Sequence, residues 1–288
     1  MAEPSFETIR KIGGDLPVSR LGYGAMRLSG QPGNWGPYPD PEGAAKVLRR
    51  ALEIGVNLID TAHAYGAGLN EVLVAQSLHP YPEGLVIATK CGLAKMGPGF
   101  AYRDGRRKGI RTGCEASLKH LRVERLDLLQ LHWIDEDTPI EESVAALAEL
   151  VKEGKVRHIG VSNVTLDELK RARSVAPIAS VQNRFSFAHR ADLEIVRYCE
   201  SEDITFFPYG PLDGNPAVIG APLADPQGVL AAEAAKRGCS ASQMALAWLL
   251  ALSPVIVPIP GTRSIAHLEE NVGALKVSLT PAEAAALG

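Results

Sequence analysis

Short apolar runs alternate with longer amphipathic runs along nearly the whole chain. The short runs are rich in β-branched residues and almost continuously apolar, which is typical of strands buried on both faces of a parallel sheet. The pattern predicts eight such strands, preceded by a hairpin in "FETIRKIGGDLPVSRL". The eight runs are "RLGYGAM", "VNLID", "GLVIATK", "LDLLQLH", "KVRHIGVSN", "IASVQN", "DITFFPYG" and "PVIVPIPG".

The runs between these strands carry helix start and stop signals. "DPEGAAKVLRRALEIG" opens with an acidic turn and stops at Gly55, and "TLDELKRARS" begins with Thr165 before an acidic turn. In "TPIEESVAALAELVKEG" we expect Thr138 as the N-cap and Pro139 at the first helical position. A strand-helix unit repeated eight times predicts an α/β protein with a (β/α)8 TIM barrel, and a doubly wound sheet is the alternative.

Two connections are longer than one strand-helix unit. They run from Cys91 to Arg125 and from Tyr209 to Pro254. The second has room for two helices, "DPQGVLAAEAAKRG" and "SASQMALAWLLAL". Because long connections in compact domains are often functional, we expect active-site loops here, with the extra helices near the C-terminus. We expect one barrel domain over residues 1–288.

Composition narrows the function only by exclusion. The chain has 288 residues, 46% apolar and 22% charged, with a net charge of -3, which gives no electrostatic argument for a nucleic-acid partner or an anionic membrane. The first ten residues are too polar for a signal peptide, and no apolar run is long enough to span a bilayer. The four cysteines match no zinc, redox or disulfide spacing, so we expect a cytoplasmic protein. Oligomeric state stays open.

Polar side chains stand at the ends of seven of the eight predicted strands. In barrel enzymes the chemistry lies at these carboxyl ends, so a closed barrel would bring the side chains to one mouth. Strand ends are often polar because they meet solvent, but this set combines an acid, a base, an imidazole, a phenol, amides and a guanidinium. The residues are Asp60, Lys90, His132, Ser162, Asn163, Gln182, Asn183, Tyr209, Thr262 and Arg263.

Asp60, Tyr65, Lys90 and His132 form a chemically coherent group. A free tyrosine has a pKa of about 10, and a neighbouring ammonium lowers it. A carboxylate would hold that lysine charged, and a histidine can hydrogen-bond a carbonyl oxygen or relay a proton. The group would protonate an alkoxide that forms on a carbonyl carbon as hydride arrives. Singly, Asp60 could cap a turn, Tyr65 could pack its loop and Lys90 could be exposed.

The order and spacing of several motifs resemble the aldo-keto reductase family over nearly the whole chain. The motifs are "GVNLIDTAHAYG", "VIATK", "LHW", "EGKVRHIGVSN", "VQN", "YGPL" and "IPGTRSIAHLEEN". The resemblance implies a (β/α)8 barrel and NADPH-dependent reduction of aldehydes or ketones to alcohols. It also implies NADP(H) bound without a Rossmann domain, and the chain contains no G-x-G-x-x-G motif.

The same resemblance assigns roles by motif. Tyr65 resembles the general acid, Asp60 and Lys90 the pair that tunes it, and His132 the residue that orients the substrate carbonyl. The cofactor contacts that it implies are Gly24, Ala25 and Met26 beside the nicotinamide ribose, Ser162, Asn163 and Gln182 at the carboxamide, Tyr209 stacked on the nicotinamide, Leu212 in the pyrophosphate loop, and Glu270 and Asn271 at the adenine end.

The last strand departs from the family pattern. Much of the family has a lysine for the 2′-phosphate where this chain has Gly261, followed by Thr262 and Arg263 at the start of a predicted helix. A helix N-terminus offers amides and a positive dipole end to a phosphate, and arginine suits bidentate phosphate binding. We therefore expect a preference for NADPH with Arg263 as the main discriminator; His267 is a further phosphate contact or only helix surface.

Aromatic residues in the loops are expected to wall the substrate pocket. We predict Trp35, Trp133 and Phe100 as substrate contacts, since apolar walls with few polar anchors suit an aromatic or aliphatic aldehyde. The opening "LGYGAMRLSG…WGP" resembles the bacterial pyridoxal reductase branch, which makes pyridoxal or a related aromatic aldehyde the expected substrate. Cationic side chains could lie near the mouth without requiring an anionic substrate: Arg27, Arg103, Arg106 and Arg107.

Other function classes stay open or are disfavoured. Lys90 at a strand end could form a Schiff base in a lyase, and the chain could instead be a cofactor-binding regulatory or sensor protein with slow turnover. A short-chain dehydrogenase would need Tyr-x3-Lys, which does not occur. The seven histidines are scattered along the sequence, so we expect no metal site. His63, between Asp60 and Tyr65, is expected to pack in its loop or at the pocket rim without a catalytic role.

Overall fold

The computed structural model describes residues 7–213, 225 and 228–287. The strands in it are β1 (Ile9–Ile12), β2 (Leu16–Ser19), β3 (Tyr23–Gly24), β4 (Leu58–Asp60), β5 (Val86–Cys91), β6 (Leu93–Gly97), β7 (Phe100–Arg103), β8 (Leu126–Leu131), β9 (Val156–Ser162), β10 (Ser180–Arg184) and β11 (Thr205–Tyr209). The α-helices are α1 (Pro41–Glu53), α2 (Leu69–Leu78), α3 (Arg107–Leu121), α4 (Ile140–Lys152), α5 (Leu166–Val175), α6 (Leu193–Ser201), α7 (Val229–Arg237), α8 (Ala241–Leu252), α9 (Ile265–Gly273) and α10 (Pro281–Leu287). No helix among these residues is both long and apolar enough to cross a membrane.

Seven of these strands form one parallel sheet in the order β3, β4, β5, β8, β9, β10, β11. A helix follows most strands before the next one begins, as strand-helix units require. Every residue of β4 and β5 is buried, which accounts for their continuous apolar runs. The architecture is the (β/α)8 barrel that the alternation predicts.

Residues 254–260 close the barrel, although they form only an isolated bridge to β11 instead of the regular eighth strand that the sequence predicts. On one side, Phe206 donates to the carbonyl of Val255 at 2.9 Å. On the other, Gly22 and Gly24 donate to the carbonyls of Pro258 and Pro260 at 2.9 and 3.2 Å. Prolines have no N–H, so this segment accepts hydrogen bonds from Gly22 and Gly24 but cannot complete a regular ladder with β3.

The N-terminal hairpin closes the end of the barrel opposite the strand carboxyl ends. β1 and β2 pair antiparallel, and their apolar side chains join a buried cluster with the barrel interior. That cluster includes Ile12, Val18, Leu58, Leu128 and Phe207. The larger apolar core lies between the strands and the surrounding helices. The barrel is therefore filled at this end, and space for a ligand lies at the other.

Local helix signals were largely correct. The side chain of Thr165 accepts from the backbone of Glu168 and completes a capping box at the start of α5, as its sequence suggests. The expectation for α4 was wrong by one residue, because the N-cap is Pro139. The hydroxyl of Thr138 instead donates to the Asp135 carboxylate at 2.9 Å, so it is not available to cap the helix.

The two long connections differ in content. The second contains α7 and α8, as predicted. The first contains an antiparallel hairpin, β6 and β7, before α3, which the sequence analysis did not anticipate. A local signal for its turn was present as the dipeptide Pro98-Gly99. This hairpin carries Phe100 at its tip, where the side chain is 64% exposed.

Candidate active site

A cavity of about 1010 Å³ opens where the barrel strands end. This is the face at which barrel enzymes carry their active sites. Most of the polar residues that the sequence places at strand ends lie in its wall. The sequence-predicted residues that line it are Gly24, Met26, Asp60, Tyr65, His132, Trp133, Ser162, Asn163, Gln182, Tyr209, Leu212, Thr262, Arg263, His267, Glu270 and Asn271.

The ammonium of Lys90 is fully buried between β4 and β5. Its Nζ donates to both carboxylate oxygens of Asp60 at 2.8 and 2.7 Å and to the carbonyl of Thr61 at 2.8 Å. The Tyr65 hydroxyl lies 3.5 Å from the same Nζ. The pairing of β4 and β5 sets this arrangement, because parallel neighbours bring their carboxyl ends to one edge. Asp60, Lys90 and Tyr65 therefore form one hydrogen-bonded unit.

Tight backbone geometry holds Tyr65 over this unit. Tyr65 begins a short 3-10 helix that continues to Gly68, and its side chain is buried. Gly66 and Ala67 both have left-handed backbone angles, with φ of 60° and 55°. The amide of Gly66 donates to the carbonyl of Asn34 at 2.9 Å, which ties this loop to the loop after the first barrel strand. The strained turn orients the phenol towards Lys90.

Electrostatics keep Tyr65 protonated and Lys90 charged. Burial raises the pKa of Tyr65; the Lys90 ammonium lowers it, but Asp60 offsets part of that effect, so the pKa stays above that of a free tyrosine. Burial lowers the pKa of Lys90, but the Asp60 carboxylate and Tyr65 raise it above its usual value. From the sequence we expected a nearby ammonium to lower the pKa of Tyr65, whereas burial outweighs that effect here. Tyr65 thus holds a proton at neutral pH.

His132 completes the group from the end of β8. Its ring meets that of Tyr65 edge-on, with centroids 5.7 Å apart. Burial and the positive charges of Lys90 and Lys95 hold its pKa well below the usual histidine value, so the imidazole is neutral near pH 7. A neutral imidazole has one N–H to donate. Beside the Tyr65 hydroxyl, it can hydrogen-bond an oxygen that is also within reach of the phenol.

The ends of β9, β10 and β11 form a polar wall next to this group. Ser162 donates to the carbonyl of Gln182 at 2.6 Å, and the Tyr209 hydroxyl donates to Asn163 at 2.7 Å. Gln182 donates to Asp60 Oδ1 at 2.9 Å, which links the wall to the Lys90 unit. Asn163 adopts a left-handed backbone conformation, with φ of 57°. These contacts hold amide groups and an aromatic ring at fixed positions along the cavity.

The far end of the cavity is cationic. Burial lowers the pKa of Arg27, and the positive charge of the nearby Arg263 lowers it further. Arg263 is exposed and immediately precedes the N-cap of α9, Ser264. Among the residues that the structure describes, no carboxylate pairs with Arg263. His267 lies in the first turn of the same helix and is also exposed in the cavity wall.

The polypeptide passes closely at this end because two glycines face each other. A Cβ on Gly261 would lie 2.6 Å from the carbonyl oxygen of Gly24. A lysine at position 261 would therefore clash with Gly24 of β3 unless the backbone moved. Ala25, which the sequence analysis assigned to the same region, is fully buried and does not line the cavity in the described part of the chain. Its effect on a ligand would be through the position of Gly24 and Met26.

The predicted substrate contacts separate into two groups. Trp133 lines the cavity, and its ring carries the guanidinium of Arg103 at 5.1 Å from the centroid. Trp35 and Phe100 do not line it within the described residues. Tyr38, which was not among the predicted substrate contacts, does line it. Trp35 and Tyr38 lie in the same Pro- and Gly-rich loop, "QPGNWGPYPD", and only the fold shows which of them reaches the cavity.

The other candidate cations near the mouth are paired elsewhere. Arg106 forms an ion pair with Asp104 at 2.8 Å, and Arg107 with Glu149 at 2.7 Å. Arg103 pairs with Glu136 at 2.9 Å while it stacks on Trp133. Of the four arginines considered from the sequence, Arg27 is the one that lines the cavity. Arg103, Arg106 and Arg107 are therefore each paired with a carboxylate and do not line the cavity in the described part of the chain.

The environment of Lys90 disfavours Schiff-base chemistry. A lysine must lose its proton before it attacks a carbonyl, and lyases achieve this by lowering the pKa of the lysine. Here the pKa of Lys90 is raised, and its ammonium is engaged by Asp60 and Thr61. The side chain is also fully buried. Lys90 is therefore suited to act on its neighbours as a fixed charge.

The chain is similar to known proteins over nearly its whole length. A family model described as "Aldo/keto reductase family" matches residues 20–288. Pyridoxine 4-dehydrogenase of Escherichia coli (strain K12) is 39% identical over 93% of this chain and 93% of its own length. The structure of a glycerol dehydrogenase from Gluconobacter oxydans superposes with a TM-score of 0.84 at 33% identity, covering 97% of this chain and 94% of that one. An aldo-keto reductase from Klebsiella pneumoniae in complex with NADPH has a TM-score of 0.79 at 26% identity, covering 100% and 94%.

Proposed function

The chain belongs to the aldo/keto reductase family, and from this premise we propose that it reduces an aldehyde or ketone to an alcohol with NADPH. The observation that carries the proposal is the buried contact of Tyr65 and Asp60 with Lys90, beside a neutral His132, at the inner end of a large cavity. The free state of all four cysteines supports a reducing, cytoplasmic location.

The cavity has suitable groups for NADP(H) along its length. Ser162, Asn163 and Gln182 offer hydrogen-bonding partners for a carboxamide, and the half-buried ring of Tyr209 offers a stacking surface. At the other end, Arg263 and the first turn of α9 offer charge and amides for a phosphate. When bound, NADPH supplies a hydride.

The residues of the chain would act on the carbonyl oxygen. The His132 N–H hydrogen-bonds and orients it, and the Tyr65 hydroxyl donates its proton as negative charge develops there. Lys90 then stabilises the phenolate that remains, because its ammonium lies 3.5 Å from that oxygen. Asp60 holds Lys90 charged and in place through two hydrogen bonds. The contacts of Lys90 with Tyr65 and Asp60 exist before the substrate arrives.

Arg263→Ala is expected to reduce the preference for NADPH over NADH. A hydrogen-bonded ion pair with phosphate contributes about 1.5–3 kcal/mol, so the Kd for NADPH should rise about tenfold to a hundredfold while that for NADH stays unchanged. Fluorescence titration with both cofactors measures this. Arg197→Ala, at an exposed arginine on α6, serves as the matched control. Equal affinities of the unmodified protein for both cofactors, unchanged in Arg263→Ala, would remove Arg263 as the discriminator.

For the substrate we propose pyridoxal or a related aromatic aldehyde. The pyridoxine 4-dehydrogenase relative aligns over nearly the full length of both chains. Tyr38 and Trp133 add aromatic surface to the cavity that Tyr65 and His132 also line, which suits a flat ring whose aldehyde points towards the phenol. The structural similarity to a glycerol dehydrogenase supports a second candidate, a small polyol-derived carbonyl.

A carbonyl panel decides between these substrates. We expect NADPH consumption with the highest kcat/KM for pyridoxal, lower values for benzaldehyde, and the lowest for glyceraldehyde and dihydroxyacetone. Trp133→Ala should raise KM for pyridoxal, whereas Phe100→Ala, on the exposed hairpin tip, should not. Higher kcat/KM for the three-carbon compounds would favour the polyol-type substrate. Tight NADPH binding without turnover of any member would favour the regulatory alternative.

A further inference from the structure

Three side chains come together on the outer side of β5, at residues that do not line the cavity. His120 Nδ1 lies 3.0 Å from Glu71 Oε2, and His63 Nδ1 lies 3.7 Å from the same oxygen. The two imidazole rings are stacked, with centroids 5.7 Å apart and planes within 9°. All three ligand atoms lie within 4.8 Å of one another. The sequence suggested no metal site, because these residues come from a loop, α2 and α3.

We propose that His63, Glu71 and His120 bind one divalent ion of the zinc class. Two imidazole nitrogens and one carboxylate oxygen are a donor set that Zn²⁺ uses, with a fourth position left for water. With metal-ligand distances of about 2.1 Å, neighbouring donors of a tetrahedral site are roughly 3.4 Å apart. The observed 3.0 and 3.7 Å lie on either side of that value. Mg²⁺ and Ca²⁺ are excluded as preferred ions because they favour oxygen donors.

An unused nitrogen supports this assignment. Nδ1 of His63 is buried without a hydrogen-bond partner among the described residues. A buried polar atom that lacks a partner is destabilising by about 1–3 kcal/mol, and a bound ion would satisfy this one. His63 Nδ1 lies 3.7 Å from the Glu71 oxygen, and the His63 ring is stacked on that of His120, so one ring would rotate to bring both nitrogens onto a shared ion. A metal ion between them would use its lone pair.

Glu71 is prepared as an anionic ligand. Its side chain is fully buried, and its other oxygen accepts from the Thr89 hydroxyl at 2.6 Å. A second partner that fixes a ligating carboxylate is a usual feature of metal sites. The Thr89 hydroxyl thus fixes one oxygen of the carboxylate and leaves the other facing the two histidines.

The ion would join the catalytic loop to the helices behind it. The amide of His63 donates to the carbonyl of Lys90 at 3.1 Å, and Tyr65 follows two residues later. Thr89 and Lys90 are neighbours on β5, so their side chains point to opposite faces of the strand. Gly68, with φ of +89°, leaves room for the His120 ring, which a Cβ at this position would contact too closely. The site therefore links the loop that holds Tyr65 to α2 and α3.

Titration of the full chain with Co²⁺ and Zn²⁺ tests the proposal. We expect saturation at one equivalent of Co²⁺, with visible absorption typical of four or five nitrogen and oxygen ligands, and displacement by Zn²⁺. His63→Gln and His120→Gln should each weaken binding by at least about tenfold. His189→Gln, at an exposed histidine between β10 and α6, is the matched control and should bind as the unmodified protein does. Saturating Zn²⁺ should also raise Tm only where the site is intact.

Two results would overturn the metal site. The first is equal metal affinity in the unmodified protein and in His63→Gln, which leaves a structural ion pair between Glu71 and His120 as the role of the cluster. The second is a sulfur-to-cobalt charge-transfer band, which would assign binding to cysteines. Because the His63 side chain is partly exposed, His63→Gln should keep its fold by circular dichroism, and it decides the outcome if His120→Gln does not fold.

Discussion

Tyr65→Phe is expected to lower kcat for carbonyl reduction by about 100-fold to 10,000-fold, the usual contribution of a general acid. The substitution removes one oxygen atom and leaves the ring against His132 and the left-handed turn at Gly66 and Ala67. NADPH affinity should therefore be retained. Steady-state kinetics and cofactor titration on the same preparation measure both effects.

The pH dependence follows from the direction of the Tyr65 pKa. Because that pKa lies above the value of a free tyrosine, Tyr65 stays protonated below it, and the proton is lost as pH rises through it. The reductive kcat should be constant across neutral pH and should fall on the alkaline side. Tyr102→Phe, at an exposed tyrosine on β7, is the control and should leave kcat unchanged. Full activity in Tyr65→Phe would exclude Tyr65 as the proton donor.

Lys90→Met is expected to have the largest effect on stability. It removes the cation that the buried Asp60 carboxylate faces, and breaking a buried ion pair in this way costs about 3–5 kcal/mol of unfolding free energy. It also removes the charge that stabilises the Tyr65 phenolate, so kcat should fall as well. Urea denaturation of the variant measures the first effect. Lys236→Met, at an exposed ion pair on α7, should change stability by no more than about 0.5 kcal/mol.

A double variant separates the structural effect of Lys90 from its chemical effect. In Asp60→Asn with Lys90→Met, no unpaired buried charge remains, so much of the lost stability should return. The kcat should stay low, because the ammonium next to Tyr65 is still absent. Recovery of both stability and kcat in the double variant would mean that Lys90 acts only by holding the fold together.

The barrel could be derived from the sequence because each strand carries its own signal. β5 and β8 are buried along almost their whole length, so their apolar runs are continuous and easily recognised. The eighth segment was predicted as a strand but forms only an isolated bridge, since Pro258 and Pro260 have no N–H with which to complete a ladder. The hairpin at Phe100 was missed because its exposed residues carry no burial pattern.

The positions of Asp60, Lys90 and His132 were predictable for a topological reason. Parallel strands end on the same side of a barrel, so a polar residue at a strand end is already assigned to the mouth. Tyr65 could be added because only four residues separate it from Asp60. The roles of these residues stay proposals until the variants are measured.

What the sequence by itself determined is therefore the barrel and the strand-end residues, because strand periodicity and the parallel arrangement depend only on local pattern. Only the tertiary structure decided which loop aromatics reach the cavity, Trp133 and Tyr38 but not Trp35, since loop paths depend on distant contacts. It alone brought His63 to Glu71 and His120, which lie on separate elements. Burial, which exists only after folding, also set the pKa of Tyr65 above the value that a nearby lysine suggests.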